Sequence, residues 1–254
     1  MIRALIRFSL AAIILLFATA CSTIKPLPVP YYSVPVDKNA VHKEEMSWWA
    51  YRYSITWPEE DERPNFAVDL MLAHAGVKPV LEKYSEKLLW WRFHRRATRE
   101  TPGHQFSFLF YTDRETATEI ISNLDDNVLL VAAKEARIIE KTVSSSTVEL
   151  SKPDVEAYSD PSWSPEIQKT WPSFIMGASA FWLALIDEIK AEQTMPHASN
   201  AESVDAVKNL LEEYRQVDDK IAEIWQDESQ HVLFHHLSAV FGYKPMRLRK
   251  EVIF

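Results

Sequence analysis

The fold is decided in the stretch WAYRYSITW, residues 49–57, where large apolar side chains occupy the odd positions and small or polar ones the even positions. Alternation with a period of two is typical of a β-strand that buries one face. We therefore predict a strand whose aromatic side chains Trp49, Tyr51, Tyr53 and Trp57 point into a core. The alternative use of this face is a platform on which a sugar stacks, but aromatic stripes at strand spacing are more often core.

The rest of residues 46–150 completes a sheet-containing half. Helical spacing over residues 66–75 ends at Gly76, a common helix terminator, and Pro79 begins a second short helix. Strand and helix patterns then follow in turn. In chain order the predicted elements are a strand pair at 89–96 and 104–112, helices at 113–123 and 126–136, and a hairpin at 138–143 and 147–150.

Residues 151–164 are rich in Pro, Ser and Asp and mark a connection to a helical half, residues 165–254. A helix begins at Ser164 and is interrupted by Pro172. Its continuation over residues 174–186 is apolar nearly all round, which predicts a central core helix. A long final helix spans about residues 202–241. Together the patterns predict one α+β domain, residues 46–254, with a small antiparallel sheet and a helical C-terminal half.

The final helix carries a candidate metal site. An apolar stripe repeats at spacings of three and four from Val207 to Ile224, and the same count continues to Glu228, His231 and His235. One carboxylate and two imidazoles on one helical face suit zinc or iron, and such a site suggests a metal-dependent enzyme. The alternative is an exposed or hydrogen-bonded helix end. Further ligands would have to come from elsewhere in the chain, where His42, His74, His94 and His104 are available.

A second candidate site lies on the predicted strand 89–96, which places Arg92, His94 and Arg96 on one face. Regular pairing is expected to bring this face against His104, Phe106, Phe108 and Phe110. Guanidinium groups bind carboxylates and phosphates bidentately, so Arg92, His94, Arg96 and His104 form a candidate anion site. The alternative is a partly exposed sheet in which arginine stems cover aromatic rings.

The first twenty residues have the layout of a cleavable signal peptide. Arg3 and Arg7 precede an apolar run, residues 8–18, which ends in Ala18-Thr19-Ala20-Cys21. This run is shorter than the roughly 20 residues that a transmembrane helix needs. We therefore predict that residues 1–20 are removed on export.

The residues around the cut resemble the lipobox of bacterial lipoproteins, in which small residues precede the lipidated cysteine. That family usually has Leu three residues before the cysteine, where this chain has Ala18, and the resemblance covers residues 1–22 only. It implies a diacylglycerol on the sulfur of Cys21 and a fatty acyl group on its new amino terminus, which together anchor stably. Ser22, in place of an aspartate, implies the outer membrane, with the domain facing the periplasm.

Composition limits the partners. Cys21 is the single cysteine, so the domain forms no internal disulfide. Residues 21–45 contain Pro26, Pro28, Pro30 and Pro35 and form a predicted spacer between lipid and domain. The formal charge is −8, and loss of Arg3 and Arg7 leaves 26 basic against 36 acidic residues, or −10. An acidic, exported protein is a poor partner for nucleic acid.

Three functions remain open. The first is a non-catalytic outer-membrane lipoprotein that contacts envelope proteins in assembly or maintenance, because the chain has an anchor and a spacer but no catalytic motif. Four glycines exclude a Gly-rich phosphate loop, and the chain has no Gly-x-Ser-x-Gly elbow. The second is the metal-dependent enzyme. The third is a binder of glycan or another envelope ligand through Trp48, Trp49, Trp57 or the arginine strand.

Overall fold

The computed structural model describes residues 46–57, 63–101, 103–192 and 203–244. The predicted signal peptide, Cys21, the spacer, His42 and residues 245–254 lie outside the described residues. The described chain has the predicted α+β architecture, with one antiparallel sheet and a C-terminal half made of helices.

Four strands form the sheet, in the order β2-β3-β1-β4. Their bounds are Ser47–Ile55 (β1), Trp90–Arg96 (β2), His104–Thr112 (β3) and Ile139–Ser144 (β4). The first three strands agree with the prediction, but the hairpin of 138–143 with 147–150 is wrong, because β4 pairs with β1 instead. Residues 147–149 bend, and the N–H of Val148 bonds to the hydroxyl of Ser146, a local bond that competes with strand pairing.

Five helical stretches complete the described fold. α1 is continuous and consists of Phe66–Met71, the π-helical turn Leu72–Val77 and Lys78–Lys83. The others are Arg114–Asp125 (α2), Val128–Glu135 (α3), Pro165–Glu192 (α4) and a final helix (α5) made of Val204–Ser229, the π-helical Gln230–His235 and His236–Val240. A 3₁₀ turn, Val155–Tyr158, lies between α3 and α4. None of these helices is long and apolar enough to cross a membrane.

The core lies between one face of the sheet and the helices. The predicted aromatic face of β1 is buried at Trp49, Tyr51 and Tyr53, as the alternation requires. Phe106, Phe108 and Phe110 of β3 lie beside them in register and are equally inaccessible. Burying each large side chain contributes roughly 1.5–3 kcal/mol, so this aromatic layer is the main source of stability.

α1 runs through the position where the sequence predicts a break. Gly76 does not end the helix: a Cβ added there would lie 3.3 Å from the Leu130 side chain, so the glycine allows α1 to approach α3 closely. Pro79 lacks an N–H, and its ring conflicts with the carbonyl four residues earlier in an ideal α-helix. The π-helical turn Leu72–Val77 precedes it directly, and its wider backbone absorbs that conflict.

α4 is likewise uninterrupted, although Pro172 lies inside it. Proline leaves the carbonyl of residue i−4 without its helical donor, and here that carbonyl, of Gln168, accepts a hydrogen bond from the Ser159 hydroxyl at 2.8 Å. The prediction that residues 174–186 form the central core helix is wrong in part. Leu183 and Ile186 are buried, but Phe174 and Phe181 are about half exposed. α4 therefore covers the edge of the core, where its Ser179 hydroxyl accepts a bond from the N–H of Phe93 on edge strand β2.

The stripe predicted on α5 packs as expected over its first half. Val207, Leu210, Tyr214 and Val217 are buried, and Ile221 and Ile224 pack against the core from its margin. Tyr214 also joins a polar network that links three helices. Its hydroxyl lies 2.6 Å from Nδ1 of His74 on α1, and Nε2 of His74 lies 2.7 Å from Oδ1 of Asp187 on α4, which also accepts a bond from Lys78.

Candidate functional site

The sheet register places Arg92, His94 and Arg96 on the face that points away from the core. Their partners on β3 are Leu109, Ser107 and Gln105. The expectation that this face meets His104, Phe106, Phe108 and Phe110 is therefore wrong by one residue.

The observed register puts Trp91 and Phe93 opposite Phe110 and Phe108 in the core. The predicted register would instead bury guanidinium groups against phenyl rings at a large desolvation cost.

A further arginine, Arg52 of β1, joins the same face. Arg52 pairs with Ser107 of β3, and Ser107 pairs with His94 of β2 on its other side. Arg52 and His94 therefore flank the same serine. Arg52 is not among the predicted residues of the anion site, although its even position in WAYRYSITW places it opposite the aromatic core face. We call Arg52, Arg92, His94 and Arg96 the basic face.

One end of this outer sheet face is covered and the other is open. Trp48, Ala50, Leu109 and Tyr111 form a small apolar cluster against which Val155 and Tyr158 pack. Hydrogen bonds fix this cover, because the indole of Trp48 donates to the carbonyl of Val155 and the Tyr111 hydroxyl donates to that of Pro153. Beyond the cover, His94 and Arg96 are exposed and Arg52 is half-buried. The covering segment thus borders a polar, accessible area of the sheet.

Among the described residues, the three arginines of the basic face, Arg52, Arg92 and Arg96, form no salt bridge. Arg92 instead lies over the ring of Tyr158, 5.8 Å from its centroid, and its buried Nε has no hydrogen-bond partner in the described structure. Burial lowers the pKa of Arg92. Partial desolvation and the charges of Arg92, Arg96 and Arg52 also hold the pKa of His94 below its ordinary value of 6.5.

This arrangement suits recognition of an anion. Arg52 on β1 and the cations of β2 are separated by β3, which places them about 10 Å apart across the sheet, and each guanidinium can donate two parallel hydrogen bonds to a carboxylate or a phosphate. No protein-family model, no curated protein and no solved structure matches this chain. The function is therefore inferred from the geometry of the basic face and from the sequence.

His104, predicted with the anion site, lies on the opposite face of the sheet. Its Nε2 is 2.9 Å from Oδ1 of the fully buried Asp69, and Nε of Arg95 is 2.7 Å from the other oxygen. The Arg95 guanidinium also stacks between the rings of Phe66 and Trp182. His104 therefore belongs to a buried ion cluster that joins α1 to β2 and β3. Asp69 and Arg95 are not among the residues predicted from the sequence to form a site.

The structure brings two of the three predicted metal ligands, His231 and His235, side by side on an exposed part of α5. Glu228, His231 and His235 are all exposed, and the π-helical segment Gln230–His235 interrupts the α-helical count on which their spacing was based. The rings of His231 and His235 stack at 5.3 Å, with His236 beside them. Within the described ranges, no group of three His, Cys, Asp or Glu side chains could hold a metal ion.

The tryptophans considered for sugar stacking are mostly unavailable to a ligand. Trp48 and Trp49 are 2% and 1% exposed, and their indole nitrogens donate to the carbonyls of Val155 and Thr112. Trp57 is half-buried beneath Arg99, 4.7 Å from its ring centroid. Of the candidate ligand-binding groups, His94 and Arg96 are exposed, and Arg92, on the same face of β2, is half-buried beside Tyr158.

Proposed function

We propose that this protein is an outer-membrane lipoprotein, anchored through Cys21 and facing the periplasm, that acts without catalysis by docking an anionic envelope protein on the basic face. The observation that carries the docking proposal is the group of three arginines on the outer sheet face, none of which forms a salt bridge with another described residue. The lipobox resemblance and the Pro-rich spacer support the anchor. The spacer would let the domain meet partners away from the bilayer.

A binding role explains the basic face better than a catalytic one. Nucleophilic catalysis needs a hydroxyl or thiol hydrogen-bonded to a base. Ser107 lies between Arg52 and His94, but in the described structure its hydroxyl bonds to neither. The lowered pKa of His94 keeps its imidazole neutral near pH 7, and a bound anion would oppose this effect.

The expected partner carries several carboxylates or phosphates rather than one. The cations of the basic face extend across β1 and β2, with β3 between them, so a single small anion contacts only part of the face. An acidic segment of another protein can contact Arg52, Arg92 and Arg96 together. Because these contacts are charge-assisted and partly exposed, the interaction should weaken as salt rises.

Site-specific photocrosslinking in cells tests this proposal. A photoreactive amino acid replaces Gln105, which pairs with Arg96 and leaves every cation of the basic face in place. We expect an adduct with an envelope protein that is lost when Arg92→Gln and Arg96→Gln are added. Thr118, exposed on α2, provides the control position. The same adduct from position 118, or an adduct at 105 that persists in the double variant, would contradict the proposal.

A further inference from the structure

The last part of α5 projects from the domain. In the first half of the helix Val207, Leu210, Tyr214 and Val217 are buried, whereas no residue of Gln230–His235 or His236–Val240 is. We call residues 229–243 the helix tip. Its backbone is well capped, because Gly242 adopts a positive φ and the N–H of Tyr243 bonds to the carbonyl of Ser238 at 2.8 Å.

The helix tip exposes large apolar side chains alongside its glutamine and histidines, whereas a solvated helix end carries mainly polar side chains. Val240 is 82% exposed, and Phe241 and Tyr243 are 67% and 62% exposed. Contiguous exposed apolar surface of this kind marks a protein or membrane contact. The other large exposed apolar residues of this region are Trp225, Val232, Phe234 and Leu237.

The charges in and after the helix tip indicate which kind of surface the tip contacts. Residues 229–243 contain no Asp, Glu, Lys or Arg, so the tip can leave water without desolvating a formal charge. Lys244 follows directly, and the sequence continues with Arg247, Arg249 and Lys250 against the single acid Glu251. An apolar, aromatic segment followed by clustered cations complements a bilayer surface that bears anionic lipids.

We infer that the helix tip inserts into the interfacial region of a membrane that contains anionic lipids. This inference rests on the proposed lipid anchor, because tethering raises the local concentration of bilayer around a weakly binding segment. The tip lies on the membrane rather than spanning it, since no described helix is long and apolar enough to cross. The anchor and the tip then give the domain two points of attachment.

A lipid surface fits the tip better than a second copy of the chain. Val232 and Phe234 are two residues apart, which places them on nearly opposite sides of a helix, yet both are about half exposed. One partner helix would cover one side, whereas headgroups and acyl chains can surround a tip that dips into them. The basic residues after the tip find a continuous anionic complement on a membrane that contains anionic lipids.

The test uses the lipid-anchored chain with Val240→Cys, in which a solvent-sensitive fluorophore labels the new thiol. The lipid blocks Cys21, so the mass of the purified chain reports the anchor independently. Val148→Cys is the matched control, because Val148 is another strongly exposed valine, 76% accessible, in the sheet-containing half. Both labelled chains are placed in vesicles of phosphatidylcholine with and without phosphatidylglycerol.

We expect phosphatidylglycerol to shift the emission of the probe at 240 to the blue and to reduce its quenching by iodide several-fold relative to the probe at 148. Phe234→Ser with Phe241→Ser should reverse both changes. Equal quenching at the two positions in phosphatidylglycerol vesicles would overturn the inference. A blue shift that depends on protein concentration without vesicles would overturn it in favour of a second copy. A mass showing unmodified Cys21 would refute the anchor instead, and the vesicle comparison would then be made with Cys21→Ser.

Discussion

Replacing Asp69 with Ala is expected to lower the free energy of unfolding by about 3–5 kcal/mol, a large part of the total stability of a typical domain. Asp69 is fully buried and accepts hydrogen bonds from Arg95 and His104. Its removal leaves the guanidinium and the imidazole inside the protein without their carboxylate. Asp218 is the other carboxylate near Arg95, but burial raises its pKa and so disfavours the charge that would compensate.

Urea denaturation of the wild-type chain and of Asp69→Ala measures this difference, with the transition midpoint as the readout. Glu82→Ala is the control, because Glu82 is 66% exposed and its ion pair with Lys78 is long, at 3.8 Å. Loss of such a surface pair costs about 0–1 kcal/mol. If the Asp69→Ala midpoint moved no further than the control, the buried cluster would not have the role that its geometry indicates.

The second large effect is expected at Asp187, where Asp187→Asn should lower the free energy of unfolding by about 1–3 kcal/mol at pH 7. Burial by itself raises the pKa of Asp187, but hydrogen bonds from His74 and Lys78 outweigh it, and the pKa lies below its ordinary value of 3.8. A carboxylate with a lowered pKa stabilises the fold above its unfolded pKa. This stabilisation is lost as the pH falls through the folded pKa.

The difference between wild type and Asp187→Asn should therefore shrink as the pH falls below about 5. Thermal or urea unfolding over that range measures it. Asp227→Asn is the control, because Asp227 is exposed on α5 and forms no salt bridge or hydrogen bond within the described structure. A difference that did not shrink below about pH 5 would contradict a carboxylate with a lowered pKa.

The sequence predicts the strands well, and the register of β2 poorly, for a physical reason. In WAYRYSITW every second residue is aromatic or aliphatic, so only one face of β1 can be buried. β2 begins with Trp90 and Trp91, and both faces contain arginine, so alternation alone does not identify the buried face. Asp69 holds Arg95 and His104 on the core side, yet it lies 26 and 35 residues from them in the chain. Side-chain contacts between residues so far apart in the chain leave no pattern in the local sequence.

The helix predictions fail where a distant group repairs a local defect. Pro172 is accommodated because Ser159, on another segment, satisfies the carbonyl of Gln168. The sequence predicts that a helix ends at Gly76, but in the structure this glycine allows α1 to lie close to Leu130. The α5 stripe is confirmed as far as Ile224, and its continuation to Glu228 and His231 is exposed because no element of the described domain packs there. Periodicity indicates which side of a helix is apolar. It does not indicate at which residue the packing of that side against the rest of the domain ends.

The central claim, that the basic face binds an anionic partner, is tested most directly by titrating the purified protein with a glutamate-rich peptide at low and high salt. We expect saturable binding that weakens with salt and perturbs the NMR signals of His94 and Ser107. Each charge-assisted hydrogen bond contributes about 1.5–3 kcal/mol, so Arg92→Gln with Arg96→Gln should weaken binding roughly 100-fold or more. Arg215→Gln, at an exposed ion pair on α5, should leave affinity unchanged. Equal loss in both variants, or binding that neither salt nor the arginines affect, would contradict the account.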